Sequence, residues 1–312
     1  MDVFGLLKNN MSMYKVPILL LLFNRIETAQ KVFSKVRLVK PERLFIAVDG
    51  PREGVADDVY NCQSVRDIVN QIDWPCEVKT LFQEKNKGLL YGPAEAITWF
   101  FSYVEEGVIL EDDCVPSDSF FKFCEILLEK YRFDERVMHI GGSNFNQGRR
   151  FGDSSYYFSK FNLLWGWASW RRAWKYYDTE MKNFPEFKRT HMIDGVWFDK
   201  KRGRSFNKIF EKIYNKKVMV WDYIWTYTVW SQNGLSALPN VNLISNIGSG
   251  PFATNTKDES DLMFQDVSEI SEYSHPSFVL SNNLVDEFIY NRIFKTNIFK
   301  IVKNRLYKLL KR

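Results

Sequence analysis

Along the first 140 or so residues, short apolar runs alternate with longer stretches in which apolar residues return every three or four positions. The runs at 17–23, 44–48, 78–82, 108–110 and 137–140 suit strands, and unbroken apolarity suits strands buried on both faces. Ile26, Ala29, Phe33 and Val36 keep helical spacing, as do Phe120, Phe121, Cys124, Leu127, Leu128 and Tyr131. Asn24, with Glu27 three residues later, has capping-box spacing for the first of these helices. Further helices are expected over 59–72 and 93–103. Strands alternating with helices predict a mostly parallel α/β sheet. From Ser143 the periodicity weakens, and the second half is expected to pack onto the same sheet, with loops over 234–256.

Composition excludes more than it identifies. A chain of 312 residues can bury one large core or two modest ones. The net charge of +5 is mild, and no nucleic-acid recognition motif accompanies the basic residues. Four cysteines without a CxxC pair and three scattered histidines argue against a zinc site, so any metal should be held by oxygen. The apolar run at 16–23 is too short to span a bilayer, and no secretory signal stands out. A cytoplasmic setting is the default expectation.

Chemistry gathers where the strands end. Residues 108–110 run into Glu111, Asp112 and Asp113, and Pro116 closes the segment. Three adjacent carboxylates repel one another, and a divalent cation with hard oxygen ligands relieves that repulsion. Asp49 follows the strand at 44–48, and Arg25 follows the first strand. Carboxyl ends of strands are where ligands bind in open α/β sheets. An arginine there can fork onto phosphate, and a carboxylate can accept from a uracil imide or a ribose hydroxyl. Neither a P-loop nor a GxGxxG motif is present.

Of ten tryptophans, seven fall in two windows, 165–174 and 221–230. The alternation Trp165-Gly166-Trp167-Ala168 leaves two readings open: core packing, or a wall on which a sugar stacks, with Trp167 as the donor contact. Asp222 stands among apolar and aromatic residues. Burial would raise its pKa toward general-base range, and it can also cap a helix.

In this order the motifs resemble those of GT-A fold nucleotide-sugar glycosyltransferases, more narrowly the N-acetylglucosaminyltransferase I-like group and its bacterial relatives. The likeness covers roughly residues 16–256, from Arg25 and Asp49 through the DXD-like triplet to the Trp165–Trp174 block and Asp222. It implies a GT-A domain over 16–285, with a nucleotide-sugar half (16–142) and an acceptor half (143–285), after a lead-in at 1–15. It implies Mn²⁺ or Mg²⁺ on Asp113, ribose and donor-sugar contacts from Asp112 and Glu111, uracil contact from Asp49, and Arg25 near the nucleotide. Asp222 would be the base of an inverting transfer from a UDP-sugar to a glycan or lipid-linked acceptor, as in bacterial surface polysaccharide or lipopolysaccharide assembly. Relatives often carry Thr-His-Thr in a late loop where this chain has Thr254-Asn255-Thr256, which leaves the role of Asn255 open. A non-catalytic nucleotide-sugar-binding protein and a membrane-surface interaction protein are the alternatives.

The last segment, 286–312, changes character. After Glu287 there is no acidic residue and there are eight basic ones, interleaved with Ile298, Ile301, Val302, Leu306 and Leu309. A basic amphipathic helix suits an anionic membrane surface, here through residues 288–312, and can also dock on its own domain.

Overall fold

A computed structural model describes residues 13–197, 199–248 and 263–295. The chain opens with β1 (Ile18–Leu22), α1 (Ile26–Val39) and β2 (Arg43–Val48). Next come α2 (Ala56–Arg66), continued by a 3-10 turn, then β3 (Glu77–Phe82), α3 (Gly88–Tyr103) and β4 (Glu106–Glu111). A short β5 (Cys114–Pro116) leads into α4 (Asp118–Lys130), β6 (Val137–Gly141), β7 (Tyr156–Ser159) and β8 (Trp167–Trp170). A helical stretch follows: α5 (Arg171–Trp174), α6 (Phe184–Arg189), α7 (Ile193–Val196), α8 (Lys200–Tyr214) and α9 (Asp222–Ser231). The described part ends with β9 (Leu235–Pro239), β10 (Ile244–Asn246) and α10 (Asn283–Ile289), then one π-helical segment.

The fold is mixed α/β, a large central sheet flanked by helices. Eight strands pair in the order β3-β2-β1-β4-β8-β6-β9-β7, and β10 pairs with β5 separately. β3, β2, β1 and β4 are mutually parallel, while β8 runs antiparallel between β4 and β6. Alternation along each strand builds two cores. Leu19 and Leu21 join Phe45, Ala47 and Ile109 on one face, where α3, α8 and α9 supply Ile97, Phe210 and Trp225. Ile18, Leu20 and Leu22 join Leu44, Ile46 and Val108 on the other, under Phe33 of α1 and Phe123 of α4.

Helix beginnings differ from the local expectation because distant groups set them. Arg25, not Asn24, precedes α1, and no side chain caps that helix. The Asn24 amide turns away and donates to Asp58 at 2.7 Å. α3 starts at Gly88, five residues before Pro93, because Asp49 accepts the Lys87 and Gly88 amides at 2.9 and 3.2 Å. Glu269 does the same for α4, accepting the Asp118 and Ser119 amides at 3.2 and 2.7 Å. Residues 234–256 are not all loop: β9 lies in the sheet between β6 and β7, and its partners are remote in sequence.

At the other end, Val285 and Ile289 of α10 are buried, and Phe294 stacks on Phe161 with ring centroids 5.1 Å apart. Packed structure therefore continues through residue 286, inside the segment expected as tail. The basic stretch from 296 onward and Asn255 lie outside the described residues. No helix among the described residues is long and apolar enough to cross a membrane.

Candidate active site

Because β1 sits between β2 and β4, the chain leaves the carboxyl ends of these strands in diverging directions, which opens a crevice. A cavity of about 390 Å³ lies there, within the range of ligand sites. Arg25 follows β1, Asp49 follows β2, Glu111 ends β4, and Asp112 and Asp113 form the turn after it. All five line the cavity, and Asp222, the first residue of α9, reaches it from the second half.

The charges are linked across the crevice. The Arg25 guanidinium forks onto Asp112, with Nε 3.2 Å from Oδ2 and Nη2 on Oδ1, and the same Nη2 donates to Asp113 Oδ2 at 2.8 Å. Burial pushes the Asp112 carboxyl up to about 6 even though Arg25 pulls it down. Glu111 is pushed well above the usual carboxylate range, first by burial and then by Asp113, Asp112 and Asp222. Asp222 is likewise raised by burial, and its Oδ1 accepts the Tyr223 amide at 2.8 Å. It is thus a helix-start acceptor and a cavity residue at once. Five carboxylates, Asp49 included, share the cavity with two guanidiniums, and one of these, Arg52, already faces Asp58.

Arg52 and Asp58 were not visible in the sequence motifs. Asp58 is buried, accepts Arg52 Nε at 2.6 Å and Nη2 at 2.9 Å, and is held down to about 2 by that pairing. Arg52 also lies over the Phe23 ring, 5.4 Å from its centroid, and lines the cavity. The signal was present as a charged pair six residues apart, but Arg52 lies in the loop before α2, and no local spacing rule marks such a pair.

Two expected contacts take other forms. Asp49 Oδ1 accepts Gly50 N and Lys87 N, and Oδ2 accepts Asn86 Nδ2 and Gly88 N, at 2.8 to 3.2 Å. A carboxylate has about four acceptor positions, so none is left over for a uracil imide. Asp49 shapes the wall and does not serve as its open acceptor. Trp167 is fully buried, stacked between His139 and Trp221 at centroid distances of 5.2 and 5.9 Å. It belongs to the core and cannot touch a donor sugar. Gly166 explains the split: its φ of +61° turns the chain so that Trp165 lines the cavity while Trp167 enters the sheet. A Cβ at Gly166 would also lie 2.4 Å from Ile244 Cδ1.

Among the described residues no group of three His, Cys, Asp or Glu side chains is arranged to hold a metal ion. Asp112 and Asp113 nonetheless offer carboxylate oxygens on one cavity wall beside a single engaged guanidinium. That donor set fits a hard divalent cation which completes its shell with phosphate and water, not a closed protein cage.

No protein-family model matches the sequence, and no curated protein is significantly similar. Solved structures resemble it distantly. A mannosyltransferase from Pyrobaculum calidifontis, in complex with GDP-Man and Mn²⁺, is 11% identical over 52% of this chain and 46% of its own, with a TM-score of 0.37. The chain thus spans about half of that enzyme. The inositol-1-phosphate CTP transferase from T. maritima is 10% identical over 73% of this chain and 85% of its own, with a TM-score of 0.37. The 4-diphosphocytidyl-2C-methyl-D-erythritol synthase from Anaerococcus prevotii is 9% identical over 72% and 88%, with a TM-score of 0.35. Likeness at this level carries no argument about the reaction, which rests on the cavity.

Proposed function

We propose that the chain is a divalent-metal-dependent, inverting glycosyltransferase that takes a sugar from a UDP-sugar to a carbohydrate or lipid-linked hydroxyl. The observation that supports it is the convergence of Glu111, Asp112, Asp113 and Asp222 with Arg25 and Arg52 on one cavity at the strand switch point. Asp113, with Asp112 beside it, would hold the cation, which supplies positive charge to the leaving diphosphate. Arg52, fixed by buried Asp58, presents a guanidinium suited to phosphate oxygens. Asp222, raised by burial, takes the proton of the acceptor hydroxyl as that oxygen attacks the anomeric carbon and the diphosphate departs. Trp165 and Trp221 offer ring surface to a sugar where Trp167 does not. The narrower N-acetylglucosaminyltransferase I-like reading rests on motif order alone.

A thermal-shift screen of UDP, GDP, CDP and their sugar conjugates, with Mn²⁺ or EDTA, tests the class. Ligand at about a hundred times its Kd stabilises by about 2.7 kcal/mol, which for a chain of this size is a shift of roughly 5 °C. UDP plus Mn²⁺ should give it and Asp113→Ala should abolish it. Equal response to nucleotides with and without metal would remove the proposal. Stabilisation without transfer or donor hydrolysis would instead indicate a nucleotide-sugar-binding protein.

A further inference from the structure

The antiparallel pair β5–β10 has no share in the chemistry so far, yet it abuts the carboxylate on which the metal reading depends. Asn246 pairs in register with Cys114, the residue after Asp113, and the Ile247 amide donates to the Asp113 carbonyl at 2.9 Å. The Asn246 side chain is buried and, besides a long contact from Nδ2 to the Cys114 thiol at 3.8 Å, bridges two groups. Its Oδ1 accepts the Gly248 amide at 2.9 Å, and its Nδ2 donates to Asp113 Oδ1 at 3.2 Å. The first of these bonds fixes which end of the amide faces the carboxylate. On the other side of the same carboxylate, a Cβ built on Gly248 would lie 2.0 Å from Asp113 Oδ2, 2.7 Å from its Cγ and 3.0 Å from its Cβ. Those three atoms are its nearest neighbours, so any side chain there would collide with Asp113 first.

We infer that Asn246 and Gly248 are positioning residues for Asp113: the amide holds one carboxylate oxygen while the bare Cα leaves the other its space. This rests on the metal reading of Asp113 and deepens it. Outer-shell partners that orient a ligating carboxylate typically change metal affinity by about 10- to 100-fold when removed. Gly248 is a selective probe, because its φ is not in the left-handed region and an alanine Cβ there meets Asp113 first. The sequence gives no hint of this contact, since 133 positions separate Asn246 from Asp113.

The test uses the full chain and Mn²⁺ alone, titrated without nucleotide and followed by the electron paramagnetic resonance of free Mn²⁺. Gly248→Ala is expected to weaken Mn²⁺ binding by about tenfold or more, and Asn246→Leu by a smaller factor. Both should melt within about 3 °C of wild type in EDTA, which separates positioning from loss of fold. If Gly248→Ala does not fold, Asn246→Leu carries the same comparison. Wild-type affinity in the variants overturns the inference and leaves the metal reading standing. A wild-type chain that binds no Mn²⁺ overturns both.

Discussion

Arg25→Met removes the guanidinium that joins the ends of β1 and β4 while keeping an apolar stem. Asp112 and Asp113 then lose their shared cation, and both are largely buried, with side-chain exposures of 7% and 13%. Breaking a buried pair by deleting one partner costs about 3–5 kcal/mol, a large share of the 5–15 kcal/mol that holds a typical domain together. The loss should depend on pH. Asp112 sits at about 6 in the fold with Arg25 present, above the ordinary value, and rises further without it. The folded variant therefore binds a proton at Asp112 more readily than the unfolded chain does. The variant keeps that proton to a higher pH than wild type does, so the deficit grows as pH rises above 6, by roughly 1.4 kcal/mol per pH unit at most, and levels off below about 6, where wild-type Asp112 is protonated too. Urea unfolding followed by tryptophan fluorescence at pH 5, 6, 7 and 8 reads this directly. A deficit below about 1 kcal/mol at pH 8, or one that does not change with pH, would refute the reasoning.

Three other substitutions separate roles. Asp222→Asn should keep UDP and Mn²⁺ binding while transfer falls by about a thousandfold, the usual worth of a general base; near-normal turnover in a single-turnover assay would place the base elsewhere. Asp58→Asn should destabilise by about 2 kcal/mol at pH 7 through loss of its charged hydrogen bonds to Arg52 and Asn24. Because Asp58 is held down to about 2, that stability is present above pH 4 and fades as pH falls toward 2, so denaturant melts at pH 7 and pH 3 should give different deficits. Trp167→Ala should cost about 3–5 kcal/mol as a core cavity and leave UDP affinity within about twofold; a large affinity loss with intact stability would restore Trp167 to the ligand.

What the sequence showed well was whatever depends on burial. Strands β1, β2 and β4 are apolar on both faces, and a run such as Leu19-Leu20-Leu21 has no other comfortable place. The acids at their ends were legible for the same reason, since polarity that breaks abruptly from a buried strand marks an edge. Less legible was everything decided by contacts distant in sequence. The starts of α3 and α4 depend on Asp49 and Glu269, and the strand status of 235–239 depends on β6 and β7. Trp165 and Trp167 were indistinguishable as letters, because the turn at Gly166 and the open or filled space on either side decide which ring meets solvent.

Asp49 also bears on how such a cavity can change its ligand. A residue that lines the pocket and simultaneously ties down the first turn of α3 is a poor place to alter specificity, because any replacement there disturbs four hydrogen bonds and a helix that fills one core. Gln83 and Leu89 share the same wall with lighter side-chain duties, the Gln83 amide making a long hydrogen bond to Glu95 and the Leu89 side chain being partly exposed. If the proposed nucleotide-sugar reading holds, a change of ligand along this wall is steered to those two positions, with the Asp49 anchor left in place.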